Sequence, residues 1–159
     1  MSISTRVDAY LTAQNIDYET LKHANTNSSL GTSIAANITP DMIAKAVLLQ
    51  DHEGRHLLAV LPADHKLNLQ RLGDQLDLDL QLVSERQVYR TFADCAPGAV
   101  PAFGPAYNMN SIYDESLQGL KDIYLEAGDH KTLIHLTGEQ FSQLMSKTQH
   151  SRFSERVLH

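Results

Sequence analysis

The stretch that decides the fold is IAKAVLLQ (residues 43–50), DHEGR (51–55) and, after His56, LLAVLPA (57–63). Both flanking runs are apolar and partly β-branched, and the polar segment between them carries Asp51 and Gly54, so the stretch predicts a β-hairpin. A hairpin rules out a purely parallel sheet. Lys45 is the only charge inside the first strand. Lysine is rarely buried without a partner, so its ammonium must reach water, a carboxylate or an anionic ligand. A solvated sheet edge and an anion contact both meet that demand, and the pattern alone does not choose between them.

Toward the N-terminus, Ile3, Val7, Tyr10 and Leu11 form one apolar stripe of a helix ending near Asn15. Residues 18–22 read as a short strand. Leu30, Ile34 and Ile38 predict a second helix stopped at Thr39-Pro40. Toward the C-terminus, Asn68 caps a helix over 69–76, and 78–83 alternates leucine with polar residues, the period of a half-buried strand. Ser84-x-x-Gln87 and Thr137-x-x-Gln140 are capping-box patterns opening two further helices. Residues 95–105 hold three of the five prolines and two of the eight glycines, which predicts a shaped loop. Strands are expected at 109–113, 122–126 and 132–136, the last two joined by a turn through His130. The result is a single compact domain of mixed α/β (α+β) class spanning 1–146. From Lys147 the apolar pattern fails, so 147–159 is expected to be a loosely held polar tail, and deleting residues 148–159 is expected to leave the fold intact.

Composition narrows the function. The 159 residues leave room for one core, and with no Trp and few aromatics that core is mostly aliphatic. A net charge of −6 argues against a protein that coats nucleic acid by counterion release, though not against a local contact with one nucleic-acid end. A DNA partner is not expected. The single cysteine, Cys95, and an N-terminus without an apolar signal core point to the cytoplasm. No apolar run approaches the roughly 18 residues that span a bilayer, so no membrane partner is expected either.

Each chemical motif has a plain structural reading beside it. His52-Glu-Gly-Arg-His56 satisfies the H-E-x-x-H zinc pattern, but that chemistry needs a helix, and here the flanks are strands. We read it as a hairpin tip that binds no metal. Cys95 reads as a packing residue rather than a nucleophile. No G-x-S-x-G, P-loop or G-x-G-x-x-G pattern occurs, and no cofactor is expected. The loop from Gly98 to Gly104 either offers backbone N–H groups to an oxyanion or simply turns a corner. His130 alone reads as an exposed turn residue. Arg86 and Arg90, four apart, form a solvated helix face or meet a phosphate backbone.

Three segments taken in order change the balance: IAKAVLL (43–49), GAVPAFG (98–104) and YLEAGDH (124–130). Together they resemble the YbaK / prolyl-tRNA synthetase-associated domain family over about residues 1–146. The resemblance implies a barrel-like curved mixed sheet flanked by helices, and an aminoacyl-tRNA deacylase that removes a wrong amino acid from tRNA in trans, with Ala- or Cys-tRNA(Pro) as candidate substrates. It implies Lys45 and Gly98 as the catalytic positions, the lysine holding the terminal adenosine phosphate or ester region and the glycine backbone facing the carbonyl. Ala46, Ala99, Val100, Pro101, Ala102, Phe103, Gly104, Gly128 and His130 are then the substrate-binding positions. The implied partners are the acceptor end of a mischarged tRNA and an aminoacyl-tRNA synthetase. Two positions depart from the pattern: Ala102 stands where the family loop commonly has proline, displaced here to Pro101, and Ala46 stands where alanine-specific members often carry Asn. A module of the same fold that binds an aminoacyl end or another small ligand without turnover is the alternative.

Overall fold

A computed structural model describes residues 3–25, 29–97 and 99–157. The chain begins with α1 (Thr5–Ala13), β1 (Glu19–Lys22) and α2 (Ser29–Ala36), then forms the predicted hairpin as β2 (Ile43–Gln50) and β3 (His56–Pro62). Seven β2–β3 pairs run from Ala44↔Pro62 to Gln50↔His56, with Lys45 opposite Leu61. At the tip, Asp51 Oδ1 accepts the N–H groups of Glu53 and Arg55, both at 2.9 Å, and Gly54 takes the left-handed φ of 79° that the turn needs. The H-E-x-x-H motif therefore runs from the turn into the first residue of β3 rather than along a helix, as its flanks predict.

Next come β4 (His65–Leu67), α3 (Leu69–Leu76), β5 (Gln81–Leu82) and α4 (Glu85–Thr91). The caps are those read from the sequence: Asn68 Oδ1 accepts from Arg71 N, and Ser84 Oγ from Gln87 N. The strand expected over 78–83 shrinks to two residues, because β2 offers it an edge only at Leu49 and Gln50. The chain continues through β6 (Asn110–Asp114), β7 (Asp122–Glu126), β8 (Thr132–Thr137) and α5 (Gly138–Leu144) to β9 (Gln149–Ser151) and β10 (Ser154–Arg156). Thr137 and Gln140 close a full capping box on α5.

The main sheet runs β1-β8-β7-β2-β3-β6-β9 and is mixed, antiparallel in the hairpin and parallel where β2 meets β7 and β3 meets β6, and β4 pairs with β10 in a second small sheet. On one side of β2, the edge is shared: parallel β7 takes Ile43 and Ala44, antiparallel β5 takes Leu49 and Gln50. Side chains alternate across the sheet. Ala44 and Leu48 join the main core with Val7 and Leu11 of α1, Phe103, and Phe141 and Leu144 of α5. Leu49, Leu57, Ala59 and Leu61 face the other way, onto Leu72 of α3, Ile112 and Phe153. Ile43, Ala63 and Leu133 form a third, smaller cluster. Among the described residues no helix is long and apolar enough to cross a membrane.

The C-terminal segment corrects an expectation. Residues 149–156 are not a loose tail: β9 adds to the sheet beside β6, β10 pairs with β4, and between them Phe153 is fully buried. The Asp114 carboxylate fastens this connection, accepting from Phe153 N at 3.0 Å and Ser154 Oγ at 2.8 Å. A single aromatic in a polar run leaves no periodic trace in the sequence, yet here it fills the second core.

Candidate functional site

Lys45 lies near the start of β2 on the face opposite Ala44 and Ala46. It is half-buried, and its Nζ donates to the Ala63 carbonyl at 3.4 Å. Among the described residues no carboxylate comes within ion-pair distance. Burial pulls the ammonium's pKa down from the usual lysine range, and the nearby Asp64 charge partly restores it. A cavity of about 270 Å³ opens beside it, walled by Val47, Leu61, Ala63, Asp64, Leu67 and Val157. A partly desolvated cation with a single weak backbone partner is suited to taking an anionic or carbonyl oxygen.

Ala46 points away from this cavity and packs against the main core, so it shares a strand with Lys45 but not a surface. The loop after α4 is anchored from the β7–β8 turn. Gly128 O accepts from Ala96 N at 2.7 Å, and the His130 Nε2 bonds the Pro97 carbonyl. A carbonyl only accepts, so that ring nitrogen carries the hydrogen. His130 N in turn donates to Glu126 Oε1 at 2.8 Å, and Asp129 Oδ1 takes the N–H groups of Lys131 and Thr132. His130 and Gly128 both hold left-handed φ angles, of 61° and 108°. A Cβ on Gly128 would stand 3.0 Å from Cys95 Sγ, so the close approach of turn and loop needs glycine there.

Gly98, the second catalytic position implied by the resemblance, lies outside the described residues. Its neighbours are held firmly. Ala99, Ala102 and Phe103 are buried, Pro101 is buried as well, and Val100 packs partly against the core. Gly104 opens a tight turn to Tyr107, where a Cβ would meet Ser111 Cβ at 2.9 Å. With these side chains packed inward, what the loop can offer to a ligand is backbone.

Three polar features near Lys45 or the 95–104 loop escape sequence reading, apart from Cys95 itself. Glu126 is pushed above the usual carboxylate range by burial, against the pull of the His130 N–H and imidazole. Asp64 lies in the turn between β3 and β4 with Oδ1 buried and without a hydrogen bond. Ser4, Asp94, Cys95 and Tyr107 form a polar cluster under the loop base: Tyr107 donates to Asp94 Oδ1 at 2.8 Å, and Ser4 Oγ bonds both residues. There the Cys95 thiol is pushed up to about 12, chiefly by burial, which fits the packing role and not a nucleophile. Asp64 in its turn and Asp94 beneath the loop give no signal of their own, because the partners that reveal them, Arg156 and Ser4, are distant in sequence.

The sequence profile of the aminoacyl-tRNA editing domain matches residues 23–144. The chain belongs to that family. A proline–tRNA ligase of Trichlorobacter lovleyi is 27% identical over 95 residues, which are 59% of this chain and 16% of the ligase. The chain thus spans only a small part of that relative. Among solved structures, a candidate trans-editing enzyme for prolyl tRNA synthetase superposes with a TM-score of 0.79 at 19% identity, covering 94% of this chain and 95% of that one. The hypothetical protein APE2540 gives 0.81 at 19% identity over 94% and 99%. A candidate signal transduction protein from Marinobacter aquaeolei VT8 gives 0.74 at 21% identity, over 94% of this chain and 30% of that one. At these identities the likeness establishes a shared fold. The editing-domain match contains β2, the 95–104 loop and the turn through His130, and it leaves out α1, β9 and β10.

Proposed function

We propose that this editing domain is a deacylase that hydrolyses, in trans, the ester joining a wrong amino acid to the terminal ribose of a tRNA. The observation that carries the reading is Lys45: a half-buried ammonium inside the profile-matched span, facing a cavity, whose one hydrogen bond among the described residues is to the Ala63 carbonyl. In this reading Lys45 holds the terminal phosphate or the ester region. The family resemblance assigns the carbonyl, where negative charge develops, to the loop that contains Gly98, and the described part of that loop is set by the Gly128 and His130 contacts to Ala96 and Pro97. No side-chain nucleophile is required. Water, oriented with the help of the vicinal ribose hydroxyl, adds to the carbonyl; the tetrahedral oxyanion then collapses by breaking the bond to the ribose oxygen, which takes up the proton lost by the attacking water, and the free amino acid departs. Rate then comes from positioning.

The substrate reading extends to Ala- or Cys-tRNA(Pro), with an aminoacyl-tRNA synthetase as partner and a cytoplasmic location. The test is release of amino acid from a panel of mischarged tRNAs starting with those two. Turnover on at least one, lost in Lys45→Ala, is expected. A wild-type protein that binds an aminoacyl end yet hydrolyses no member of the panel would replace the enzyme by a binding module of the same fold.

A further inference from the structure

Lys45 does not extend straight from the sheet. Its ammonium leans to the carbonyl of Ala63, the residue before Asp64, and both charged side chains line one cavity with Val157. Asp64 is 8% exposed. Its Oδ1 has no hydrogen bond, with His65 Nε2 lying 3.8 Å away, and its Oδ2 is 3.3 Å from Arg156 Nε. A buried carboxylate with an idle oxygen readily recruits a neighbouring cation. Lys45 is near enough to respond to the Asp64 charge, yet the two do not close into an ion pair.

Arg156 comes from β10, outside the span matched by the editing-domain profile, and its backbone is well fixed. It stands opposite His65, Val157 N donates to Asp64 O at 2.8 Å, and Ser154 Oγ bonds both His65 Nδ1 and Asp114 Oδ2 at 2.8 Å. Phe153 seats the whole segment in the second core. Arg156 and the His65 imidazole thus lie beside the Asp64 carboxylate, Lys45 shares its cavity, and the arginine is delivered by a strand distant in sequence.

We propose that β10 is part of the editing site: by holding Asp64, Arg156 keeps that carboxylate from pairing with Lys45 and leaves the Lys45 ammonium for the anionic part of the substrate. Arg156 and Asp64 are positioning residues in this scheme, which rests on the reading of Lys45 given above.

The experiment compares wild type, Arg156→Gln, Asp64→Asn and the double variant in two measurements. In deacylation, Arg156→Gln is expected to raise KM about tenfold with kcat within twofold, because substrate must displace Asp64 from Lys45. Adding Asp64→Asn is expected to return KM to that of Asp64→Asn alone. An unchanged KM in Arg156→Gln, or a double variant as poor as Arg156→Gln, overturns the proposal, since a merely structural role is not rescued by removing Asp64. The second measurement follows the Lys45 titration by NMR of protein carrying 13C-labelled lysine, assigned with Lys45→Arg. Its midpoint is expected to move up in Arg156→Gln and down in Asp64→Asn. If the wild type deacylates nothing, the deacylase reading fails by itself, and the titration still decides the cation competition: no upward shift in Arg156→Gln refutes it.

Discussion

Replacing Phe153 by Ala tests whether the C-terminal segment is structural. The ring is fully buried among Leu49, Leu57, Ala59, Leu61, Leu72 and Ile112, contributed by β2, β3, α3 and β6. An aromatic side chain buries on the order of 150–250 Å², which at about 25 cal/mol per Å² is a transfer term near 4–6 kcal/mol. Alanine retains part of that, while the cavity left between strands and helix adds to the loss, so about 3–5 kcal/mol is expected. For a chain of this size that corresponds to roughly 6–20 °C in Tm. Urea unfolding followed by circular dichroism is the assay, with the slope m unchanged if only packing is lost. Proteolysis should also cut near residues 149–156 first, because the segment then keeps its short strand pairings and polar contacts but loses its apolar anchor. A loss below about 1 kcal/mol would mean that the ring is not a core residue in solution, and the reasoning that joins β9 and β10 to the domain would fail with it.

Lys45→Ala is expected to reduce deacylation by about 30- to 1000-fold, or roughly 2–4 kcal/mol, with little change in circular dichroism, and Lys45→Arg should still lose most activity because a planar guanidinium does not replace a compact ammonium; full activity of Lys45→Ala on a tRNA the wild type hydrolyses excludes the assignment. Burial pushes the Asp114 carboxyl up, but hydrogen bonds from Ser116, Phe153 and Ser154 outweigh it and hold the group below the ordinary aspartate value. Its contribution to stability is therefore complete above the unfolded value near 3.8 and disappears as pH falls through the folded one, so the Tm gap between wild type and Asp114→Asn should be constant from pH 5 to 7 and close below pH 3.8; a gap that widens on acidification contradicts the sign. Cys95, buried with a thiol pushed up to about 12, should resist iodoacetamide at pH 8 in the native protein and react in urea, and rapid native labelling would show the site to be open.

What the sequence disclosed follows the range of the interactions. The 43–63 hairpin was legible because both strands and the turn lie within about twenty residues, and the helix caps at Asn68, Ser84 and Thr137 because a cap acts over three positions. Lys45 stood out as a lone charge in an apolar strand. The alternation that exposed it also puts Ala46 on the other face, although adjacency in a motif had grouped the two. The docking of 149–156 was illegible because it depends on one aromatic and on a carboxylate, Asp114, whose partners lie 39 and 40 positions away. The two-residue β5 was overread for a related reason: its alternating leucines describe a surface, and only the strand beside it decides how much of that surface pairs.

Pairing between β4 and β10 also governs when the protein can finish folding. His65 and Ser154 meet across 89 positions, Ser4 and Tyr107 across 103, and β1 waits for β8. Long loop closures of this kind slow folding, since chain entropy is lost before the contacts that repay it form. During synthesis the hairpin of β2 and β3 emerges with one apolar face uncovered, and Phe153, which completes that face, follows only after β4 to β9 have been made. A nascent chain stopped short of it exposes Leu49, Leu57 and Leu61 together with the bare edge of β6, the condition under which strands pair between molecules. Stop codons placed between α5 and Phe153 should therefore lower soluble yield far more than the polarity of residues 147–152 suggests.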